Sequence, residues 1–562
     1  MDLTIVIGGE AGQGLKTIDF ILGKTLFRMG YNVFTSKDVM SRIRGGHNFI
    51  TTRIGSESVN GITEKIDILI ALNEDTVDIH KDKVVDGGLI LFDGEKEVEG
   101  EGKEVININA QEIAKEINSR GANTVFIGAA LKLMGLDTDA AEEVIAEYFA
   151  SEDIQEDNVQ LLQEGFDSVD SRIELEEGKD LGDQIYLDGN NALAMGAAVG
   201  GVQFYAAYPM SPSTSIMNYL AGKQEDLGLV VEQAEDEIAA INMAMGGSFS
   251  GIRSMTGTSG GGLALMNEGI GLAGIAEIPV VIADVQRPGP ATGLPTRTGQ
   301  GDLLFAINTA QDDYPLVVLA PRDHEDAFQQ GFRALNLADK YHMPVIILST
   351  QYLADSARNV KAFDFSSLEI DYNLIEDPDS VEDYKRYELT ESGISTRSYP
   401  GQIPGQVFMI DSDEHDEYGH IIEDAETRNA MVEKRARKIE KLIEEDLQEP
   451  VYQGEEDVDY LLIGWGSTYG PLQEAQKALA DEGIKVGLLS FTDVWPLPTG
   501  ELERFNDMGA EFVVVEENST AQFARLISSE TGMQAEHTIL KYDGRTFTGE
   551  ELVKRFKKEV MQ

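Results

Sequence analysis

Between Tyr208 and Leu304 the sequence concentrates the groups that could do chemistry. In the turn Tyr208-Pro209-Met210-Ser211-Pro212-Ser213-Thr214 two prolines fix φ and so hold the hydroxyls in place. Glu235, Asp236 and Glu237 then open a helix of small and apolar residues, Ile238 to Ser248. Acids at a helix start are favoured by its dipole, and one of the three is expected to face a dry environment. Thr256-Gly257-Thr258-Ser259-Gly260-Gly261-Gly262 is a loop suited to an anion, with Thr258 and Ser259 as its hydroxyls. Arg287 and Arg297 sit on a Pro/Gly-rich loop directly after an apolar strand, where guanidinium groups can fork a carboxylate or make surface salt bridges.

Other candidates are weaker. The turn Gly8-Gly9-Glu10-Ala11-Gly12-Gln13-Gly14-Leu15-Lys16-Thr17 fails the phosphate-loop pattern, because Leu15 separates Gly14 from Lys16, and it fails the dinucleotide fingerprint as well. It reads as tight packing or, through Gly12 and Gly14, as contact with a phosphate-bearing ligand. Gly464-Trp465-Gly466-Ser467 reads as structural. His415 and His420 lie among carboxylates in an expected exposed polar turn, where a hard-metal site is the alternative, and no metal ligands are assigned.

These groups need a scaffold of alternating strands and helices. Apolar runs at residues 3–7, 66–71, 88–92 and 105–108, with helical spacing between them and at 17–29, 138–149 and 158–168, predict an α/β unit with a mainly parallel sheet over 1–183. Residues 174–183 are polar, acidic and Gly-containing and read as a linker. A second α/β unit, 184–448, holds the strands 279–284 and 316–319, loosens after about 350, and ends in a strongly charged helix at 426–445. A third, 449–562, opens on Tyr460-Leu461-Leu462-Ile463-Gly464.

Composition removes several function classes. The 562 residues hold 45 Lys+Arg against 99 Asp+Glu, a net charge of −54, so nucleic acid phosphates would be repelled. The absence of cysteine removes disulfides, zinc–thiolate sites, thiol nucleophiles and iron–sulfur ligation by this chain. No apolar run reaches the ~18 to 20 residues of a membrane span, and no signal-peptide n-region precedes the first strand. The expectation is a soluble cytoplasmic protein with a salt-adapted type of surface.

Tyr208-Pro209-Met210-Ser211-Pro212-Ser213-Thr214-Ser215 closely resembles the Tyr-Pro-Ile-Thr-Pro-Ser-Ser signature of the 2-oxoacid:ferredoxin oxidoreductases. The segments at 232–251, 256–266 and 286–303 are similar to their α subunit, particularly the 2-oxoglutarate type. Residues 1 to about 183, with GGEAGQG and Ile43-Arg44-Gly45-Gly46-His47-Asn48, resemble the γ subunit fused in front, and 458–475 resembles the C-terminal domain. The resemblance implies three successive α/β units: γ-like, thiamine-pyrimidine-binding and transketolase C-terminal-like.

For chemistry, the resemblance implies coenzyme A-dependent oxidative decarboxylation of a 2-oxoacid with reduction of ferredoxin. Thiamine diphosphate would be shared with a β subunit that carries Mg2+ and a [4Fe-4S] cluster, in an (αβ)2 assembly. Glu237 would hydrogen-bond the aminopyrimidine nitrogen and favour the imino tautomer that draws off the thiazolium proton. Tyr208, Pro209, Thr258 and Ser259 would border the cofactor. Ser211, where the family usually has Thr, would contact substrate, and Arg287, with Arg297 second, would clamp its carboxylate. No Gly-Asp-Gly diphosphate motif occurs here, so the chain is expected to be half an active site. The alternatives are pyruvate or a branched-chain oxoacid as substrate, or a non-catalytic regulatory subunit of the same ancestry.

Overall fold

Leu3, Ile5 and Ile7 are buried at the centre of strand Asp2–Ala11, which is longer than its apolar run because Gly8, Gly9 and, past an irregularity at Glu10, Ala11 continue the pairing. The computed structural model describes residues 1–42, 45–94 and 98–561. They divide into two compact units, Met1–Leu187 with Asp355–Ala362 and Thr548–Glu551, and a second comprising Asp188–Ala354, Phe363–Phe547 and the residues from Leu552.

The first unit carries an eight-stranded sheet in the order Glu104–Asn107, Val84–Phe92, Ile66–Ala71, Asp2–Ala11, Gly45–Gly55, Asn32–Asp38, Ala357–Lys361, Gln184–Asp188. The sheet is mixed, which corrects the expectation of a mainly parallel one. Four strands are parallel, but Gly45–Gly55 runs antiparallel to both Asp2–Ala11 and Asn32–Asp38. These two added strands mix Thr, Ser, Lys and Asn with apolar residues, so their sequence carries little apolar signal. Ile43 and Arg44 of the family motif lie outside the described residues. Residues 174–183 have no regular structure but are no free linker. Lys179 N donates to Gly30 O at 3.0 Å, Tyr31 OH donates to Glu176 O at 2.8 Å, and Gly178 lies so close to Met29 O that a Cβ would collide with it.

The second unit holds two sheets. Seven strands run in the order Asp493–Trp495, Val317–Leu319, Pro344–Thr350, Val280–Gln286, Ser254–Thr258, Phe204–Ala207, Val230–Gln233, all parallel except the Asp493–Trp495 edge. Five run in the order Val451–Gln453, Val486–Phe491, Tyr460–Trp465, Glu511–Glu516, His537–Leu540. One apolar core, from Ala240 and Ile282 to Trp465, Phe491 and Phe523, underlies both sheets. The edge strand Asp493–Trp495 crosses from one to the other. That shared burial is why the C-terminal sheet does not stand as a separate unit.

At the amino ends of the seven-stranded sheet the helices deliver their C-terminal carbonyls to buried cations. Arg253 donates to Gly200 O at 2.5 Å, Arg397 to Ser248 O at 3.4 Å, Arg386 to Glu277 O at 2.6 Å and Lys438 to His342 O at 3.2 Å. Glu277 is completely buried, 2.6 Å from Lys434 Nζ and also paired with Lys438. Helix Ala425–Glu445, strongly charged in sequence, thus buries Met431, Lys434, Arg435, Lys438 and Leu442. His415, expected in an exposed turn, is fully buried against the Tyr387 ring at 4.0 Å, while His420 is exposed. Among the described residues no cluster of three or more His, Asp or Glu could hold a metal ion, and no helix is long and apolar enough to cross a membrane.

Candidate active site

Four loops leave the carboxyl ends of adjacent parallel strands, the place where open α/β sheets bind ligands. Phe204–Ala207 leads into the Tyr208 turn, Val230–Gln233 into the Glu237 helix, Ser254–Thr258 into helix Gly260–Ile275, and Val280–Gln286 into the Arg287 loop.

The three acids before the first helix divide their work. Asp236 is the N-cap, its Oδ1 accepting from Ala239 N at 2.7 Å, and this releases Glu237 at the next position to turn inward. Glu235 and Asp236 are exposed, whereas Glu237 is 3% exposed. Its Oε1 has no hydrogen-bond donor among the described residues. Gly262, in the first turn of the neighbouring helix, lies against it: a Cβ there would stand 2.6 Å from Glu237 Oε1 and would also collide with Thr258 Oγ1. A buried carboxylate oxygen without a donor is costly, and a bound group carrying an N–H would satisfy it.

Thr258 and Ser259 are fully buried, and Ser259 Oγ has no donor or acceptor among the described residues. The Tyr208 turn is built as expected, with Ser213 Oγ donating to Met210 O at 2.8 Å and Asn190 Nδ2 to Pro212 O at 3.0 Å. Tyr208 and Ser211 are exposed and Pro209 is half-buried. Arg287 reaches this turn, its Nη1 donating to Ser211 O at 2.7 Å. Burial lowers the Arg287 guanidinium below the usual arginine range, against the opposing pull of Asp284, Asp302 and Glu237. Glu237, Ser211 and Arg287 therefore belong to one neighbourhood. Arg297 is buried elsewhere, its stem bordering Gly544 and its N–H donating to Leu294 O at 3.1 Å. This separates two arginines that share one loop in the sequence, Arg287 being the first candidate for the carboxylate and Arg297 the second.

The sequence reading missed Asp284 and Asp302. Burial and the neighbouring Asp302 hold the Asp284 carboxyl well above the usual carboxylate range, and burial pushes Asp302 up to about 6. The signal was present as an aspartate inside the apolar run Pro279-Val280-Val281-Ile282-Ala283-Asp284-Val285.

In the first unit, the glycine turn before helix Leu15–Arg28 has two different surroundings. Gly14, at φ 74°, packs against the Asn123 side chain, while Gly12, at φ 100°, has no neighbour within 4 Å of an added Cβ among the described residues. His47 Nε2 lies 2.8 Å from His80 Nε2, so the two rings share one proton position, and burial pushes His80 down to about 3.

Comparison with known proteins gives this geometry a family. The family "Pyruvate flavodoxin/ferredoxin oxidoreductase, thiamine diP-bdg" matches residues 195–434, "Pyruvate ferredoxin/flavodoxin oxidoreductase" matches 4–168, and "Pyruvate:ferredoxin oxidoreductase core domain II" matches 458–552. The 2-oxoacid:ferredoxin oxidoreductase subunit alpha of a Sulfolobus species is 34% identical over 98% of this chain and 96% of its own. The chain belongs to the 2-oxoacid:ferredoxin oxidoreductase α-subunit family. The 2-oxoglutarate oxidoreductase subunit KorA of Mycobacterium tuberculosis is 31% identical over 78% of this chain and 68% of its own. Among solved structures, the 2-oxoglutarate:ferredoxin oxidoreductase of Magnetococcus marinus with 2-oxoglutarate, coenzyme A and succinyl-CoA bound superposes with a TM-score of 0.92. It is 32% identical, and 99% of each chain is covered. Full-length similarity extends over all three sheets, so the α/β fold of the whole chain is that of this family.

Proposed function

We propose that this chain is the γα-fused α subunit of a coenzyme A-dependent 2-oxoacid:ferredoxin oxidoreductase, with 2-oxoglutarate as the favoured substrate. It would act in the cytoplasm with a β subunit that brings Mg2+, the diphosphate contacts and an iron–sulfur cluster, in an (αβ)2 assembly that delivers electrons to ferredoxin. The observation that carries the reading is the buried, donor-less Glu237 Oε1 in the same neighbourhood as Arg287 and Ser211, at the carboxyl ends of parallel strands. The bound 2-oxoglutarate and coenzyme A of the Magnetococcus relative support the substrate.

Thiamine diphosphate, when bound, supplies the nucleophilic carbon and the electron sink that decarboxylation of a 2-oxoacid requires. This chain's part is positioning and proton control. Glu237 would accept a hydrogen bond from the ring nitrogen and favour the tautomer that moves a proton, with Thr258 and Ser259 lining the approach. The Arg287 fork would bind the substrate carboxylate bidentately, held to the Ser211 turn by its own Nη1. Tyr208 and Pro209 would close one side. Arg297, packed beside Gly544, would act through the loop rather than on substrate.

The test is co-expression with a cysteine-bearing partner chain that holds a Gly-Asp-Gly motif. The purified complex should be brown, retain thiamine diphosphate, and reduce a viologen with 2-oxoglutarate and coenzyme A faster than with pyruvate or branched-chain oxoacids. The chain alone should hold no iron and show no such activity. Decarboxylation by the isolated chain would replace this reading with a single-chain decarboxylase, and an inactive complex would favour a regulatory subunit.

A further inference from the structure

Three carboxylates and a single guanidinium share the carboxyl end of strand Val280–Gln286, an imbalance that the reading above leaves unused. Asp284 lies within the strand and is fully buried, and neither of its carboxylate oxygens has a hydrogen-bond donor among the described residues. Side chains two apart on a strand point to the same face, so Gln286 stands beside it. Gln286 Oε1 accepts from Asp302 N at 3.0 Å, while its Nε2 donates to Ser349 O at 3.1 Å. The first of these bonds brings Asp302 back over the strand end.

There the Asp302 carboxyl rests against Gly260, the first residue of a 16-residue helix. A Cβ at position 260 would stand 2.5 Å from Asp302 Oδ2, which also lacks a donor. Only a glycine lets the carboxylate approach this closely. The helix N-terminus favours negative charge on Asp302, whereas Asp284, inside the strand, has no such support. The charged groups acting on the pair are the two carboxylates themselves and Arg287, and Arg287 in turn feels Glu237. Asp284 is fully buried and Asp302 half-buried with its Oδ2 out of water, and carboxylates that repel each other in such a place while facing one cation relieve the repulsion by keeping a proton and titrate as a unit.

We propose that Asp284 and Asp302 hold one proton between them, chiefly on Asp284, and that this singly charged pair sets the potential at Arg287 and so the affinity of Arg287 for a substrate carboxylate. The role at Arg287 rests on the function proposed above, whereas the shared proton does not. Both aspartates are positioning residues. The directions of their titration agree: Asp284 is raised well above the usual range and Asp302 to about 6. Below about 6 the second proton enters, the pair becomes neutral, and an anionic substrate binds more tightly. On the alkaline side the last proton leaves, the pair doubles its charge, and binding weakens.

The proton is read first, by infrared difference spectroscopy on the full chain near neutral pH. Wild type minus Asp284→Asn should show the carbonyl stretch of a protonated carboxylic acid that shifts in D2O, and the absence of that band would overturn the proposal. Asp302→Asn removes the repelling charge, so the band should disappear at a pH at least about one unit lower than in wild type. An unshifted band would overturn the sharing. This second variant also serves if Asp284→Asn does not fold. In the co-expressed complex, KM for the 2-oxoacid should rise about tenfold on the alkaline side with kcat unchanged, and Asp284→Asn should flatten that rise. A wild-type KM that is flat with pH would overturn the role at Arg287. A complex inactive with every 2-oxoacid, alongside a clear infrared band, would instead sink the functional reading and leave the shared proton standing.

Discussion

The two ends of the seven-stranded sheet are built from the same kinds of charged residue to opposite ends. At the amino ends, Arg253, Arg386, Arg397, Lys434 and Lys438 are buried and donate to Glu277, Asp339 and carbonyls at or just past the ends of four helices, while Arg386 Nη1 and Arg397 Nε have no partner among the described residues. Positive charge there meets the negative ends of helix dipoles. At the carboxyl ends, Glu237 and Asp284 are buried and Asp302 is half-buried with a buried Oδ2, and each has oxygens with no donor among the described residues, at helix N-termini or strand ends. The difference is one of charge balance: at the amino ends buried cations meet buried acids and helix-end carbonyls, even though those two guanidinium nitrogens and both His342 nitrogens lack a partner among the described residues, whereas at the carboxyl ends carboxylates outnumber the cations that face them.

The largest expected effect is at the amino ends. Glu277→Gln leaves Lys434, Lys438 and Arg386 facing one another without their shared anion, and should cost ~3–5 kcal/mol of stability, because breaking a buried pair strands the remaining charge. Denaturant unfolding measures this, and activity per folded molecule in the complex should be unchanged. A cost near zero would erase the contrast between the two ends.

At the other end, Glu237→Gln should lower turnover of the complex by ~10² or more, with unfolding and subunit association intact, since a neutral amide cannot drive the tautomer shift as a carboxylate does. Normal turnover would remove Glu237 from the chemistry. Arg287→Lys comes next, with KM for the 2-oxoacid raised roughly tenfold and kcat little changed, because a point charge cannot reproduce the fork. If Arg297→Lys raises KM and Arg287→Lys does not, their roles must be exchanged.

How much of this contrast was legible in the sequence depends on the kind of signal. Residues 66–71 were read as a strand with the bounds the structure has, because Ile66-Asp67-Ile68-Leu69-Ile70-Ala71 is an almost continuous apolar run. Strands Asn32–Asp38 and Gly45–Gly55 were not legible, since antiparallel pairing fixes them with Thr and Ser as readily as with Val. Glu237 was legible as one of three acids at a helix start, but which of them turned inward depended on Asp236 taking the cap. Lys434 and Lys438 hid because charge reads as exposure. Their spacing with Met431 and Leu442 was the buried stripe of the helix, with cations where apolar side chains are expected. Asp302 needed the tertiary structure, because its partner strand lies before the Arg287 loop and nothing in the sequence says that Gln286 folds the chain back.

Lys438 offers a smaller and more diagnostic effect. Burial and the neighbouring Lys434 push its ammonium down to about 7, so between about 7 and the ordinary lysine range the unfolded chain binds a proton that the folded chain does not. Stability from this group therefore rises with pH across that window and falls as pH drops towards 7. Lys438→Met should remove that slope, seen as the difference between wild-type and variant unfolding curves, and should itself be close to neutral because Lys434 still pairs Glu277. An unchanged slope would place the proton elsewhere in the network.

The smallest effect tests whether the two ends are as dry as their burial says. With 99 acidic against 45 basic residues, the surface repels itself, and each exposed like-charge contact costs a few tenths of a kcal/mol. Raising KCl from 0.1 M to 1 M shortens the screening length from ~10 Å to ~3 Å, so the melting temperature of the wild-type chain should rise. Pairs taken out of water are screened much less. Glu277→Gln should therefore rise in parallel with wild type and keep the same deficit at every salt concentration, because Glu277 and both of its lysines are completely buried. If the deficit shrinks with salt, water reaches the amino-end network, and dryness is not what sets its ion pairs apart from surface ones. If neither protein responds, the surface charge is incidental to folding, and the contrast between the two ends stands on burial alone.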